Sequence, residues 1–267
     1  MKLGIVGHGF VGSAVDQGFT RDCAKFVVDP KHNSNSIQDL IEFAPTATFV
    51  CVPTPQTASG EANVSILESV LTDLDHYQDH LVIIKSTVPA YQLKKFQDSF
   101  NKLNIVYNPE FLTEKNYIED FRNPAMHVFG GDRENTDRVE QLYKNHSVCR
   151  ECPVFHTDTL TASMVKYTIN SFLATKVTLF NELYDAYRAA GGEQFAELTD
   201  IVSTDPRIGT SHMRVPGNNG ERGYAGSCFP KDTAALAHYA REILGTPFTQ
   251  LETSIRINER LRRDKQS

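Results

Sequence analysis

Lys2-Leu3-Gly4-Ile5-Val6-Gly7-His8-Gly9-Phe10-Val11-Gly12 is the stretch that decides the fold: an apolar, strand-like run that enters a Gly-x-Gly-x-x-Gly turn and leaves it as a helix. In such a turn Gly7 permits the tight bend, Gly9 lets a pyrophosphate approach the backbone, and Gly12 lets the helix pack on the strand. A helix opening at Phe10 and Val11 aims its unbonded amides and the positive end of its dipole at the phosphates. The motif alone is common; its context gives it weight. Asp29 ends the next apolar run, where a carboxylate can accept from the hydroxyls of an adenosine ribose. A 2′-phosphate would meet like charge there, so the pattern favours NAD over NADP. His8 fills a variable position of the turn and is given no chemistry.

Outward from the turn, short apolar runs at 3–6, 26–29, 48–52, 81–85, 104–107 and 126–129 alternate with amphipathic stretches such as 11–20, 36–43, 64–77 and 134–144. Strand–helix alternation with Val/Ile-rich strands is the pattern of an α/β protein with a Rossmann-like, doubly wound parallel sheet. The pattern holds to about residue 157. Beyond it, Val165, Ile169, Phe172, Leu173, Phe180, Leu183, Tyr184 and Tyr187 recur at helical spacing, and Gly191-Gly192 would end that long helix. Further helices are predicted over 195–202, from about 230, and from about 248 to the C-terminus. The expectation is a dinucleotide-binding domain over 1–157 and an all-α domain over 158–267.

Composition narrows the functional classes. A chain of 267 residues with 40% hydrophobic residues has enough apolar material for a core that needs no disulfide or metal staple. Its net charge of −6, with no basic run longer than the short 260–265 tail, argues against sequence-independent nucleic-acid binding. No segment approaches the ~20 apolar residues of a membrane span, and the glycine-rich start is unlike a signal peptide. Five cysteines, an odd number at irregular spacing, suggest reduced thiols and a cytoplasmic location.

Four later segments carry chemistry: Cys51-Val52-Pro53-Thr54-Pro55, Ser86-Thr87-Val88-Pro89, Asn108-Pro109-Glu110-Phe111-Leu112-Thr113-Glu114, and Gly226-Ser227-Cys228-Phe229-Pro230-Lys231-Asp232. The first three follow the third, fourth and fifth predicted strands, and open α/β sheets bind ligands beyond those ends. Pro230 suits the first position of a helix, which places Cys228 just before its amino end. That end and Lys231 both favour a thiolate. A lone cysteine is more often buried and inert, and Cys23, Cys51, Cys149 and Cys152 are read that way. Lys166 and Asn170 lie one turn apart on the long helix, on one face beside its apolar stripe. A lysine there ordinarily just solvates its helix, but paired with Asn170 it can stabilise an oxyanion. His146, Cys149, Cys152 and His156 have spacings that zinc could use. They straddle a helix end and a strand, however, and no metal is expected.

Taken together these segments resemble the UDP-glucose/GDP-mannose dehydrogenase family, from the first strand to the last helix. The Gly226–Asp232 string is the most specific part. The resemblance implies NAD as cofactor and a nucleotide sugar as substrate, its primary alcohol oxidised by four electrons to the uronic acid. It implies that Cys228 holds the aldehyde as a thiohemiacetal and then a thioester. Lys166 and Asn170 would support the oxyanion, Glu114 would be the acid/base, and Thr87 and Asp232 would orient a water. Pro53, Thr54, Ser86, Thr87, Glu110 and Lys231 would lie on the cofactor side, with the turn and Asp29. Phe111, Leu112, Tyr224 and Gly226 would line the sugar site, and Arg207, in Asp205-Pro206-Arg207-Ile208-Gly209, would reach substrate held by a neighbouring subunit. Departures from the family's usual sequence are Ser163 before the lysine region, Lys115 after Glu114, and Tyr224-Ala225 before Gly226.

Two other readings stand beside this one. A two-electron β-hydroxyacid dehydrogenase shares the Rossmann-plus-helical arrangement and a Lys-x3-Asn face, but has no use for Cys228. A non-catalytic dinucleotide-binding subunit has no reason to assemble Thr87, Glu114, Lys166, Asn170 and Cys228. Family members continue into a further nucleotide-gripping domain, so nucleotide binding is expected to need a neighbouring copy or a separate partner protein. The last helix, with Leu251, Ile255, Ile257 and Leu261, is expected to pair with a second copy in a homodimer. Calorimetric titration should show NAD binding well ahead of NADP, and Asp29→Ala should narrow the gap. Equal affinities in the parent would remove the argument from Asp29.

Overall fold

The computed structural model describes residues 1–263; the last four residues of the predicted second domain lie outside that range. Two compact units are present: Met1–Pro55 with Ala62–Lys166, and Gln56–Glu61 with the chain from Tyr167 onward. No helix among the described residues is long and apolar enough to cross a membrane.

The first unit is a mostly parallel, Rossmann-like sheet. Its elements run β1 (Lys2–Val6), α1 (Phe10–Gly18), β2 (Ala24–Val28), α2 (Ile37–Phe43), β3 (Ala47–Val50), α3 (Ser65–Leu74) and β4 (His80–Ile84). They continue with α4 (Ala90–Ser99), β5 (Leu103–Tyr107), α5 (Tyr117–Arg122), β6 (His127–Gly130), α6 (Arg133–His146) and β7 (Val154–Thr157). The strand order β2-β1-β3-β4-β5-β6-β7 reverses direction at β1. A crevice therefore opens beyond the carboxyl ends of β1 and β3, where such sheets bind dinucleotides.

Strand residues alternate between two apolar layers, as a period of two requires. Leu3 and Ile5 join Ala14, Val15, Phe121, Val139 and Leu142 of α1, α5 and α6. Val6 and Val50 join Leu40, Leu67, Leu71, Leu93 and Phe96 of α2, α3 and α4. The sheet is thus covered on both faces, which explains its near-continuous apolar strands. α2 starts from a capping box in which Ser36 and Asp39 bond each other's backbone amides.

Two features depart from the sequence reading. β6 runs antiparallel to β5, joined at the single pair Tyr107↔Gly130: the connection turns back at the carboxyl edge instead of crossing the sheet. β7 is an additional edge strand, parallel to β6. Its Phe155 is exposed, so it lacks the apolar run that marks the inner strands.

The helix α7 (Thr159–Ala189) spans the division between the units. The second unit continues with α8 (Phe195–Ser203), α9 (Phe229–His238), a π-helical turn over Tyr239–Ile243, and α10 (Thr249–Arg263). Phe180, Phe195 and Met213 form a small core there. Leu251 and Leu261 of α10 are 1% and 4% exposed and so are covered within the chain, while Ile255 and Ile257 of the same stripe are half-buried. α9 packs on α10 within the unit. Exposed apolar residues of this unit include Phe172, Leu179 and Leu183 along α7, Ile201 on α8, and Ile243, Leu244 and Phe248 between α9 and α10.

Gly18 shows how close the packing of α1 on α5 is: a Cβ there would lie 1.9 Å from the Phe121 ring. Alanine gains up to about 1 kcal/mol over glycine in a helix, whereas overpacking costs about 1–3 kcal/mol. Gly18→Ala should therefore lower stability in denaturant titration, and adding Phe121→Leu should recover part of the loss. A stabilised Gly18→Ala protein would show that the contact is slack.

Candidate active site

The turn after β1 has the geometry that dinucleotide binding needs. Gly7 has φ +88°, and a Cβ there would meet the Cys51 carbonyl at 2.7 Å. A Cβ on Gly12 would fall 1.9 Å from the Gly7 carbonyl oxygen. Around Gly9 a Cβ would meet no atom within 4 Å, so the protein's own packing leaves room for Cβ there. Phe10 and Val11 open α1 directly behind it. Asp29 is buried at the end of β2, accepting from the amides of His8 at 2.6 Å and Lys31 at 2.8 Å. Burial works to raise its pKa, but these two amide bonds outweigh it and hold the carboxyl below its ordinary value. The open glycine, the amino end of α1 and the ionised Asp29 fit NAD.

The segments after β3, β4 and β5 are tied to one another. Ser86 donates to the Val52 carbonyl at 2.6 Å and Thr54 to that of Thr87 at 2.8 Å; Pro53 between them is exposed. Glu110, after β5, is buried against Lys166 of α7. The Lys166 ammonium donates to the Glu110 carboxylate at 2.9 Å and to its main-chain carbonyl at 2.6 Å. Burial would raise the Glu110 pKa, and Lys166 more than reverses this. Phe111 lies beneath the same ammonium, its ring centroid 5.6 Å away, and the Leu112 amide donates to Glu110 at 2.6 Å. Glu114 is exposed two residues further on.

One buried network escaped the sequence reading. Lys85 and Tyr143 both donate to the Asn108 side-chain oxygen, at 3.0 and 2.8 Å, and the Asn108 amide donates to the Val128 carbonyl. Burial pushes Lys85 down to about 8. The available signal was a lysine directly after the apolar run of β4.

In the second unit, Cys228 is the N-cap of α9 and Pro230 its second residue, one position later than predicted. Asp232 is fully buried, with one carboxylate oxygen 2.5 Å from the Lys231 ammonium and the other accepting from Asn170 at 2.5 Å. Lys231 is thus ion-paired with Asp232. Gly226 has φ +84° in the exposed loop before Cys228, and Tyr224 is buried. Arg207 forms an exposed fork on Asp205. Lys176 of α7 holds the following turn by donating to the carbonyls of Ile208 and Gly209.

The other thiols are unsuited to nucleophilic work. Burial pushes Cys51 up to about 12 and also raises Cys23, Cys149 and Cys152. The two histidines whose spacing zinc could use take separate partners: His146 bonds the Arg21 carbonyl, whereas His156 bonds Thr136 and Glu140. Asp137, Glu140 and His156 do gather, but Arg133 and Lys144 neutralise the two carboxylates.

A Rossmann-like sheet with this turn, followed by a helical domain, defines an NAD-binding protein of the dehydrogenase type. Residues 32–147 match the UDP-glucose/GDP-mannose dehydrogenase family's NAD binding domain, and residues 160–260 its central domain. The chain belongs to that family. It is 35% identical to UDP-glucose 6-dehydrogenase of Rickettsia bellii over 71% of this chain and 44% of that protein. UDP-glucose 6-dehydrogenase TuaD of Bacillus subtilis is 32% identical over 86% and 49%. The chain spans about half the length of these curated relatives. A UDP-glucose dehydrogenase structure from Pyrobaculum islandicum superposes with TM-score 0.83 at 26% identity, over 97% of this chain and 68% of that one. The 3-hydroxyisobutyrate dehydrogenase of Mycobacterium tuberculosis, at TM-score 0.74 and 16% identity over 97% and 92%, shares the fold.

The glycine geometry separates packing from ligand approach. Gly12→Ala should lower the melting temperature by several degrees, since the added carbon overlaps backbone. Gly9→Ala should melt with the parent yet bind NAD at least about tenfold more weakly. Unchanged NAD affinity in Gly9→Ala would place the pyrophosphate elsewhere.

Proposed function

We propose that the protein oxidises the primary alcohol of a nucleotide sugar, UDP-glucose in type, to the uronic acid in two NAD-dependent steps, with Cys228 holding the intermediate. The observation that carries this reading is the placement of Cys228 as the N-cap of α9, with Pro230 and Asp232 in the turn behind it. NAD, when bound, accepts a hydride in each oxidation. Gly7, Gly9, Phe10, Val11, Gly12, Asp29, Pro53, Thr54, Ser86, Thr87, Glu110 and Lys231 form its side of the site.

The Cys228 thiolate adds to the aldehyde carbon, and Lys166 and Asn170 stabilise the oxyanion so formed. Glu110 keeps Lys166 charged while it is buried. Oxidation of the thiohemiacetal leaves a thioester. Water oriented by Thr87 and Asp232 then releases the carboxylate and returns the thiol, with Glu114 moving protons. Phe111, Leu112, Tyr224 and Gly226 line the sugar, and Arg207 reaches substrate in a neighbouring copy.

The same reading gives residues 1–157 to cofactor binding and the helical remainder to substrate and dimerisation, in a cytoplasmic homodimer. Phe172, Leu179 and Leu183 of α7 offer the apolar face for pairing. A separate partner could equally supply the nucleotide grip. A two-electron β-hydroxyacid dehydrogenase shares the fold but leaves the thiol without work.

The test is NADH production over a panel of UDP- and GDP-sugars, with the acid measured directly. Cys228→Ser should cut acid formation by more than about a hundredfold, with residual chemistry stopping at the aldehyde or an adduct. Cys149→Ser and Cys152→Ser should stay near the parent rate. Full acid production by Cys228→Ser would overturn the covalent route.

A further inference from the structure

We propose that Asn258, on α10, is the positioning residue that sets the reactivity of the Cys228 thiol. The Asn258 side chain is buried and meets both backbone polar groups of one residue, Tyr224. Its oxygen accepts from the Tyr224 amide at 2.7 Å, and its NH2 donates to the Tyr224 carbonyl at 3.1 Å. The amide thus does for Tyr224 what a neighbouring strand would do. Such an approach requires Gly223: a Cβ there would lie 2.5 Å from the Asn258 oxygen, and its φ is +73°.

Tyr224 is secured from its side chain as well. Its hydroxyl lies by Thr233 of α9 and Ser254 of α10, and Ser254 is in turn 3.0 Å from Thr178 of α7. Its ring packs edge-to-face on Phe229, the first residue of α9, at 6.1 Å. Before it, Arg222 is tied to Asn181 of α7. After it, residues 225–227 are exposed, so Tyr224 is the last buried residue before Cys228.

The influence of a helix terminus falls off within about a turn, so thiolate stabilisation depends on where the chain delivers the sulfur. Charged and titratable groups near this end include Lys231 and Asp232 on α9 and His212, whose ring is 5.4 Å from that of Phe229; Glu259 of α10 bears on Tyr224. Asn258 bonds none of these groups; both of its bonds go to Tyr224. The value of a tuned thiol rests on the proposed function, but its reactivity can be read with no substrate present.

The experiment follows alkylation of Cys228 by iodoacetamide from pH 5 to 10, by mass spectrometry of its peptide, in the full chain. In Asn258→Ala the midpoint should rise by about one pH unit, lowering the rate at pH 7 roughly tenfold. Asn258→Asp keeps an acceptor for the Tyr224 amide but faces its carbonyl with a second acceptor, and should shift the midpoint part of the way. Asn181→Ala, which removes the side-chain acceptor of Arg222 and of the Gly223 amide but leaves both Asn258–Tyr224 bonds, should lower the melting temperature without moving the midpoint. An Asn258→Ala profile that overlays the parent's while its melting temperature falls would make Asn258 merely structural. Should Asn258→Ala fail to fold, Asn258→Asp decides by the same criterion. A parent Cys228 that titrates like an ordinary thiol, with a midpoint that Asn258→Ala still moves, would count against the covalent route and not against the positioning.

Discussion

Keeping an ammonium out of water is the constraint around which the first unit is arranged. Removing a charge from water costs several kcal/mol unless it is paired and hydrogen-bonded, and Lys166 is only 2% exposed. Glu110 meets it with a carboxylate and a main-chain carbonyl, so both the side chain and the backbone of one residue must be aimed at α7. The aim is set one step back, where Asn108 fixes the turn out of β5 by accepting from Lys85 and Tyr143 while donating to β6. The ends of β4 and β5, α6 and the start of α7 are therefore locked together by polar contacts as much as by the apolar layers.

How much of this was legible follows from the range of each interaction. The turn at Gly7–Gly12 was readable because its requirements are local: a strand before it, a helix after it and an acid one strand on. The inner strands were readable because burial on both faces leaves them uniformly apolar. β7 was not, since an edge strand with an exposed Phe155 carries no such run. Nor was the reversal of β6, because direction depends on which edge a connection returns to. Lys85 read only as the end of a strand and Lys166 as a candidate oxyanion stabiliser, and the distant partners Asn108 and Glu110 that make their burial tolerable were not visible. The four-residue spacing of Lys166 and Asn170 suggested one shared role. The contacts are distinct, Lys166 bonding Glu110 and Asn170 bonding Asp232.

The second unit extends the same logic along α7. Lys176, Thr178 and Asn181 are buried polar residues on a helix whose apolar spacing had drawn attention first. Each serves another segment: Lys176 the turn at Ile208–Gly209, Thr178 the hydroxyl of Ser254, Asn181 the Arg222 guanidinium. Loops without regular backbone bonding need such partners, because an unpaired buried amide or carbonyl is costly. α7 therefore acts as a rail of hydrogen-bonding groups as well as an apolar surface. Phe172, Leu179 and Leu183 remain on its exposed side.

Fold alone does not choose a chemistry here, because the same architecture occurs in a 3-hydroxyisobutyrate dehydrogenase at 16% identity. In the proposed covalent route the choice lies in the short loop into α9 and in its charges. Asp232 sits in the first turn of that helix, and a bare carboxylate so near would oppose a thiolate at Cys228 by like-charge repulsion. Lys231 on one oxygen and Asn170 on the other offset that charge. Lys231 was expected to favour a thiolate at Cys228; in the structure its ammonium is paired with the Asp232 carboxylate. The amino end of α9 thus carries Cys228 as its N-cap, with the charge of Asp232 in the first turn met on both oxygens.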